Sequence, residues 1–334
     1  MTETAPRKFT SEHTVGLYTG ASLMLPPDQL TADVNIPETT AELLGRCHIY
    51  LICRSPALSL DTQTFLHKDG LGSGHLLRKI SGKTERIKFR MRMDVPAGGW
   101  IKVGDYPHRE LLTFDRDGAA TGYHFPARWI AQKSRLSDDT ARDFEVLYVG
   151  QSYGGDGSRT AFTRLQSHST LQKILADHSA KRPDDELMLF LFEYENQMFT
   201  HIDGITKAQS SDEEDTEHWM NILDNPLSEK QQIALAEAGL IRYFEPEYNE
   251  IYKSSFPQEQ QRILDGCYEL DMSAIVVEIN TEELAAPLWS PSRGKGLHHI
   301  AQYDLHDPDK RRSFFTFVDN EGNSVSLKSD GPVF

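Results

Sequence analysis

Apolar and polar positions alternate most cleanly in residues 85–94, ERIKFRMRMD. Ile87, Phe89, Met91 and Met93 fall on one face of a strand, and Arg86, Lys88, Arg90 and Arg92 on the other. Shorter runs at 100–103, 110–114 and 121–125, parted by Gly/Asp turns, read as further strands, as does 47–53. Residues 127–131, ARWIA, read as another strand. Residues 145–149, EVLYV, form a buried strand that ends at Gly150 and runs into a glycine-rich loop at 153–158. Beyond Thr160 the period changes. Phe162, Leu165, Leu171, Ile174 and Leu175 follow a helical stripe with a candidate break near Ser169, and Arg164 and His168, four apart, share one helix face. Residues 186–194 are apolar almost throughout, the pattern of a strand covered on both sides. Residues 216–244 hold two helices, parted at Asn225-Pro226, with Ser228 as the second N-cap. Strand patterns return at 272–279, 297–305 and 313–318, whereas residues 1–40 read as an irregular lead-in. The pattern therefore predicts an α+β (α/β) chain in four parts. These are a lead-in (1–40), a β-rich module (41–125), a core with a small central sheet and flanking helices (126–256), and a C-terminal β extension (257–334).

Composition adds a soluble, globular class, with 38% hydrophobic and 25% charged residues in a chain of 334. No run of about 18 apolar residues predicts a membrane span. Cys47, Cys53 and Cys267 have neither disulfide nor metal spacing, which points to a reducing cytoplasm. The net charge of −15 is uneven: +1 over residues 1–125, −10 over 126–264 and −6 over 265–334. An acidic chain that binds nucleic acid must concentrate positive charge locally or receive the nucleic acid from a protein partner. The Arg86, Lys88, Arg90, Arg92 face concentrates it. Like charges repeating at roughly 6.6 Å repel one another. A solvated outer face is the ordinary explanation, and a row of phosphates the functional one.

Three fragments in order carry a resemblance. Leu147-Tyr-Val-Gly150 is followed by Arg164-Leu-Gln-Ser-His168 and then by Glu237 and Asn249, twelve apart, in EAGLIRYFEPEYN. This order and spacing resemble the GIY-YIG nuclease superfamily over about residues 126–256. There are two departures. The tyrosine of the first signature, which the family places ten or eleven residues before the second, is missing: Trp129 or Ile130 stands there. The loop from Gly150 to Arg164 is also longer than in the repair members of the family. Gly16-Leu-Tyr18 spells the first signature better but lies about 130 residues upstream, and reads as chance.

The resemblance implies a metal-dependent endonuclease acting on nucleic acid, DNA in the first place, in a defence or restriction role. Glu237 would hold Mg²⁺ or Mn²⁺, because Mg²⁺ keeps most of its waters and needs only one or two carboxylates. Arg164 would stabilise charge on the phosphate, Tyr148 would lie near the metal-bound water, His168 would accept the proton or orient the tyrosine, and Asn249 would hold the helix end or the loop around the site. A cation beside Tyr148 would lower its pKa from the usual value of about 10. Arg159 in the long loop, with Arg86, Lys88, Arg90 and Arg92, would contact phosphates. The missing tyrosine supports an alternative, a nucleic-acid-binding or assembly module that has lost part of the chemistry. His298, His299 and His306 lack zinc spacing and read as ordinary histidines.

Overall fold

Four stretches that the sequence keeps apart meet in one nine-stranded sheet. In the computed structural model, which describes residues 5–30, 37–153, 160–202, 208–318, 321, 323–328 and 331–333, the strand order across this sheet is as follows. Arg293–Gly296 and Leu288–Ser290 lie beside Phe144–Gln151, then come Ile49–Pro56, Asp185–His201, Glu12–Leu25, Ala274–Asn280, His298–Asp304 and Gly331–Pro332. Two neighbours pair in parallel, Glu12–Leu25 with Ala274–Asn280 and Phe144–Gln151 with Leu288–Ser290; the others are antiparallel. The sheet curls until its two end strands meet, with Gly294 lying against Pro332. The class is mixed α+β.

The curl encloses the helix Glu229–Phe244. Ser228 caps it in a capping box with Gln231, and Glu245 ends it in the left-handed region. Ile233, Leu235, Ala236, Ala238, Leu240, Ile241, Tyr243 and Phe244 are all buried, so this helix is apolar almost all round, as a core helix must be. Each fully buried Leu or Ile contributes about 2 kcal/mol, which is what holds it there. Gly239 allows the close approach: a Cβ there would meet Val277 Cγ2 at 2.6 Å. The outer face of the sheet is covered by two short helices, Ala161–Leu165 and Ser169–Lys181, through Leu165, Leu171 and Ile174.

Residues 57–143 are inserted between Ile49–Pro56 and Phe144–Gln151. They form a five-stranded sheet built on the hairpin Leu71–Ile80 and Lys83–Arg92, a three-stranded sheet (Trp100–Val103, Glu110–Phe114, Ala120–Pro126) and the helix Ala127–Lys133. The insertion has its own core of Leu58, Leu60, Leu76, Ile87, Phe89, Met93, Leu111 and Ile130. Buried Arg128 fixes it to the main sheet, donating to Glu186 (2.5 Å) and to the carbonyls of Pro56 (2.7 Å) and Ala141 (2.5 Å).

Three expectations need correction. Residues 127–131 are helical, because Ala127, Ile130 and Ala131 make an i, i+3, i+4 face toward the insertion's core. The lead-in contains a 14-residue strand, Glu12–Leu25, in the interior of the main sheet. Its alternation is blurred by Gly16 and Gly20, and at Gly16 a Cβ would meet the rings of Phe199 and Tyr18 at 2.4 Å. The expected boundary at 125/126 does not follow the topology. Ile49–Pro56 belongs to the main sheet, and so do the strands of the C-terminal extension Ala274–Asn280 and His298–Asp304.

Candidate functional site

The strand Phe144–Gln151 changes parity halfway along. Phe144 and Val146 point into the inner core. A β-bulge between Val146 and Tyr148 then inserts Leu147, so that Leu147 and Tyr148 both face the outer side. Tyr148 pairs with Ile52 and Gly150 with Tyr50 on the neighbouring strand Ile49–Pro56. The bulge therefore puts Tyr148 on the same face as Tyr50, as its diagonal neighbour, with ring centroids 6.2 Å apart. Gly150 leaves the room that the Tyr50 ring needs: a Cβ there would meet Tyr50 Cζ and Oη at 2.6 Å.

The bulge leaves backbone groups to be satisfied on the open edge, and Tyr248 and Asn249 satisfy them. Tyr248 N donates to Leu147 O at 3.0 Å. Buried Asn249 makes two bonds of 2.9 Å to Val149, accepting from its N–H and donating to its carbonyl. Asn249 thus holds the backbone of the strand Phe144–Gln151, where a helix end or a loop was expected.

His168 does not share a helix with Arg164. The chain breaks between Ala161–Leu165, capped by Thr160, and Ser169–Lys181, for which His168 is itself the N-cap. This corrects the expected common helix face. The two residues meet instead through Tyr50. His168 Nδ1 accepts from Leu171 N at 3.2 Å, and Nε2 lies 3.1 Å from the Tyr50 hydroxyl. With Nδ1 an acceptor, the ring proton of neutral His168 sits on Nε2, and it is donated to Tyr50 Oη. The charge of Arg164 also acts on the Tyr50 hydroxyl and favours its ionised form. Tyr148 stands beside the same hydroxyl, and Tyr50 acts to lower its pKa.

Glu237 reaches this group from the enclosed helix. Gln151, at the end of the strand Phe144–Gln151, and the charge of Arg164 both favour its ionised form. Burial outweighs those contacts and pushes its pKa up to about 7. Burial, and then the nearby Glu237, also raise the pKa of Tyr148; the expected lowering by a cation has no source within the protein strong enough to offset them. Tyr50 is raised too, by burial first and then by Tyr148 and Glu237.

A cavity of about 320 Å³ opens beside the group, lined by Gln151, Ser152, Tyr153, Arg164, Lys230 and Ala234. Lys230, Ala234 and Glu237 lie on one face of their helix, at i, i+4 and i+7. The Tyr153 hydroxyl donates to Glu229 at 2.9 Å and ties the loop after the strand to the start of that helix.

The structure thus brings together Tyr148, Arg164, His168, Glu237 and Asn249. It places Arg86, Lys88, Arg90 and Arg92 away from them, on the inserted sheet, and Arg159 lies outside the described residues. Trp129 and Ile130 belong to the insertion's helix and not to a strand beside Tyr148. Two residues were missed. Tyr50 is one; it stands on the strand Ile49–Pro56 beside Phe144–Gln151, and residues 57–143 separate the two strands in the sequence. Lys230 is the other, and only its position on the Glu237 face reveals it. Among the described residues, no group of three or more His, Cys, Asp or Glu side chains converges. His299 bonds Tyr243 and His306 bonds the Met272 carbonyl, so the three C-terminal histidines form no ligand set. None of the helices of the described residues is long and apolar enough to cross a membrane. Comparison with protein-family models, with curated proteins and with solved structures finds no match to this chain.

Proposed function

We propose that the protein is an endonuclease that hydrolyses phosphodiester bonds of nucleic acid, DNA in the first place, by chemistry of the GIY-YIG type. One observation carries the reading. Side chains from positions 50, 148, 164, 168 and 237 gather beside a cavity, with Tyr50 hydrogen-bonded to His168 and Tyr50, Tyr148, Arg164 and Glu237 coupled electrostatically. That group contains what the reaction requires: a planar cation for the phosphate oxygens, a proton acceptor, and a carboxylate.

The donor set fits a divalent cation. Glu237 offers a hard oxygen, and a single carboxylate suffices for Mg²⁺ or Mn²⁺ that retains its waters. Such a cation would supply positive charge that neutralises phosphate oxygens and lowers the pKa of nearby hydroxyls. The chain's own residues do the rest. Arg164 holds a non-bridging oxygen with paired N–H donors and stabilises the charge that builds on it. Tyr148 takes the proton of the attacking water. Tyr50, beside Tyr148, favours its deprotonated form. His168 holds the Tyr50 hydroxyl in place, and the Arg164 charge acts on it. Asn249 keeps Val149, and with it the two flanking positions, in place.

The test is incubation of the protein with supercoiled plasmid and with single-stranded DNA and RNA, at low salt, with Mg²⁺, Mn²⁺ or EDTA. Cleavage that needs the metal and is lost in Glu237→Gln and Arg164→Ala is the expected result. No cleavage of any substrate, or cleavage that survives both substitutions, contradicts the proposal.

A further inference from the structure

The inserted sheet carries the positive charge that the rest of the chain lacks. Residues 57–143 contain 15 Lys+Arg and 11 Asp+Glu, a net +4, which leaves −19 for the remainder. Within the insertion the cations are sorted by the strand period. In Lys83–Arg92 the apolar Ile87 and Phe89 are buried, while Arg86, Lys88, Arg90 and Arg92 stand exposed on the other face.

The register adds a further cation. Arg135, on the short strand Arg135–Leu136, pairs directly with Arg90, and both are exposed. Two guanidinium groups directly opposite across an antiparallel pair repel each other, an arrangement that an isolated protein gains nothing from. Two of the cations on this face have carboxylate partners, Arg86 with Asp61 at 3.1 Å and Arg92 with Asp94 at 3.0 Å. Lys88, Arg90 and Arg135 have none among the described residues.

We propose that this face is a docking surface for the phosphate backbone of nucleic acid, separate from the cleavage site. The inference rests on nucleic acid being the ligand of the site proposed above. Alternate residues of a strand stand roughly 6.6 Å apart, comparable with the phosphate spacing along a nucleic-acid strand. Arginine predominates, and its planar donor fork fits phosphate better than the point charge of lysine. The insertion leaves the main sheet at Pro56, about 20 Å along the strand from Tyr50. A strand or duplex held on the basic face is therefore held at a distance from the bond that is cut. This arrangement also explains how a chain of net charge −15 binds a polyanion at all.

The experiment is fluorescence anisotropy of a labelled duplex and a labelled single strand with the full chain in EDTA, so that binding is read without cleavage, across a series of NaCl concentrations. The variants are Arg90→Ser with Arg135→Ser, Lys88→Ser with Arg90→Ser, and, as a control for net charge, Arg116→Ser, which sits on a turn elsewhere in the insertion. Melting curves establish that each variant is folded. The expected result is that each double variant binds at least tenfold more weakly at low salt. The slope of log K against log [NaCl] should also become shallower by about 2, one unit per lost phosphate contact. Arg116→Ser should bind like wild type. Equal weakening in the control, unchanged binding in the double variants, or binding to phosphatidylserine vesicles but to neither nucleic acid, overturns the proposal. The two readings separate cleanly. Tight, face-dependent binding without cleavage would sink only the nuclease assignment, whereas cleavage with KM unchanged in the double variants would sink only the docking face.

Discussion

Tyr50 and His168 lie 118 positions apart in the chain and share a buried hydrogen bond of 3.1 Å. His168 does two tasks at once, because its other ring nitrogen caps the helix Ser169–Lys181 through Leu171 N. The two tasks can be separated. His168→Ala should lose the cap and the bond to Tyr50, at a cost of about 2 kcal/mol in urea unfolding. His168→Asn keeps a capping side chain and should recover about 1 kcal/mol of that, yet cleave as poorly as the alanine variant. Recovery of cleavage together with stability would show that His168 serves only as a cap.

Asn249 holds the bulged strand by both faces of the Val149 peptide. Asn249→Ala leaves a buried N–H and a buried carbonyl without partners, and should cost about 2–4 kcal/mol. Asn249→Asp should not rescue it, since a carboxylate can accept from Val149 N but cannot donate to its carbonyl. Equilibrium unfolding of the two variants checks this; a fully stable aspartate variant would contradict it.

Glu237 is held against its own ionisation, and the sign of the consequence is fixed. Its pKa is about 7 in the folded protein against 4.5 ordinarily, with burial the main cause. Between those values the folded protein keeps a proton that the unfolded chain has released. The stability associated with neutral Glu237 is therefore fully present below about pH 4.5, and is lost as pH rises through 7. Glu237→Gln should be more stable than wild type at pH 8, by at most about 3 kcal/mol, and similar to it near pH 4, while losing cleavage. Mg²⁺ should raise the Tm of wild type at pH 8 and leave that of Glu237→Gln unchanged. Thermal melts at both pH values, with and without Mg²⁺, decide the matter. A glutamine variant less stable at pH 8 would contradict the account.

What could be read from the sequence was local. The alternation of Arg86 to Met93, the caps of Ser228, and the strands around Val146 and Phe190 are set by neighbours a few residues away, and they are found where the pattern puts them. What could not be read depends on distant contacts. Glu12–Leu25 is a strand because it lies between two others, with glycines where rings press on it. Tyr148 faces Tyr50 because of a bulge, which no periodicity reveals. Tyr50 itself lay concealed because the two strands that pair at Gly150 are separated by the insertion of residues 57–143. Helix periodicity also joined Arg164 to His168 across a break that His168 caps.

The most direct test is the single-turnover rate of phosphodiester cleavage by Tyr50→Phe, on whichever nucleic acid the wild-type protein cuts. The substitution keeps the ring over Gly150 and removes only the hydroxyl, which is bonded to His168 and coupled electrostatically to Arg164 and Tyr148. The predicted result is a fall of about 10²-fold or more, with folding intact. A Tyr50→Phe protein that cleaves at the wild-type rate would contradict the central claim, that Tyr50 completes a phosphodiester-hydrolysing site with Tyr148, Arg164, His168 and Glu237.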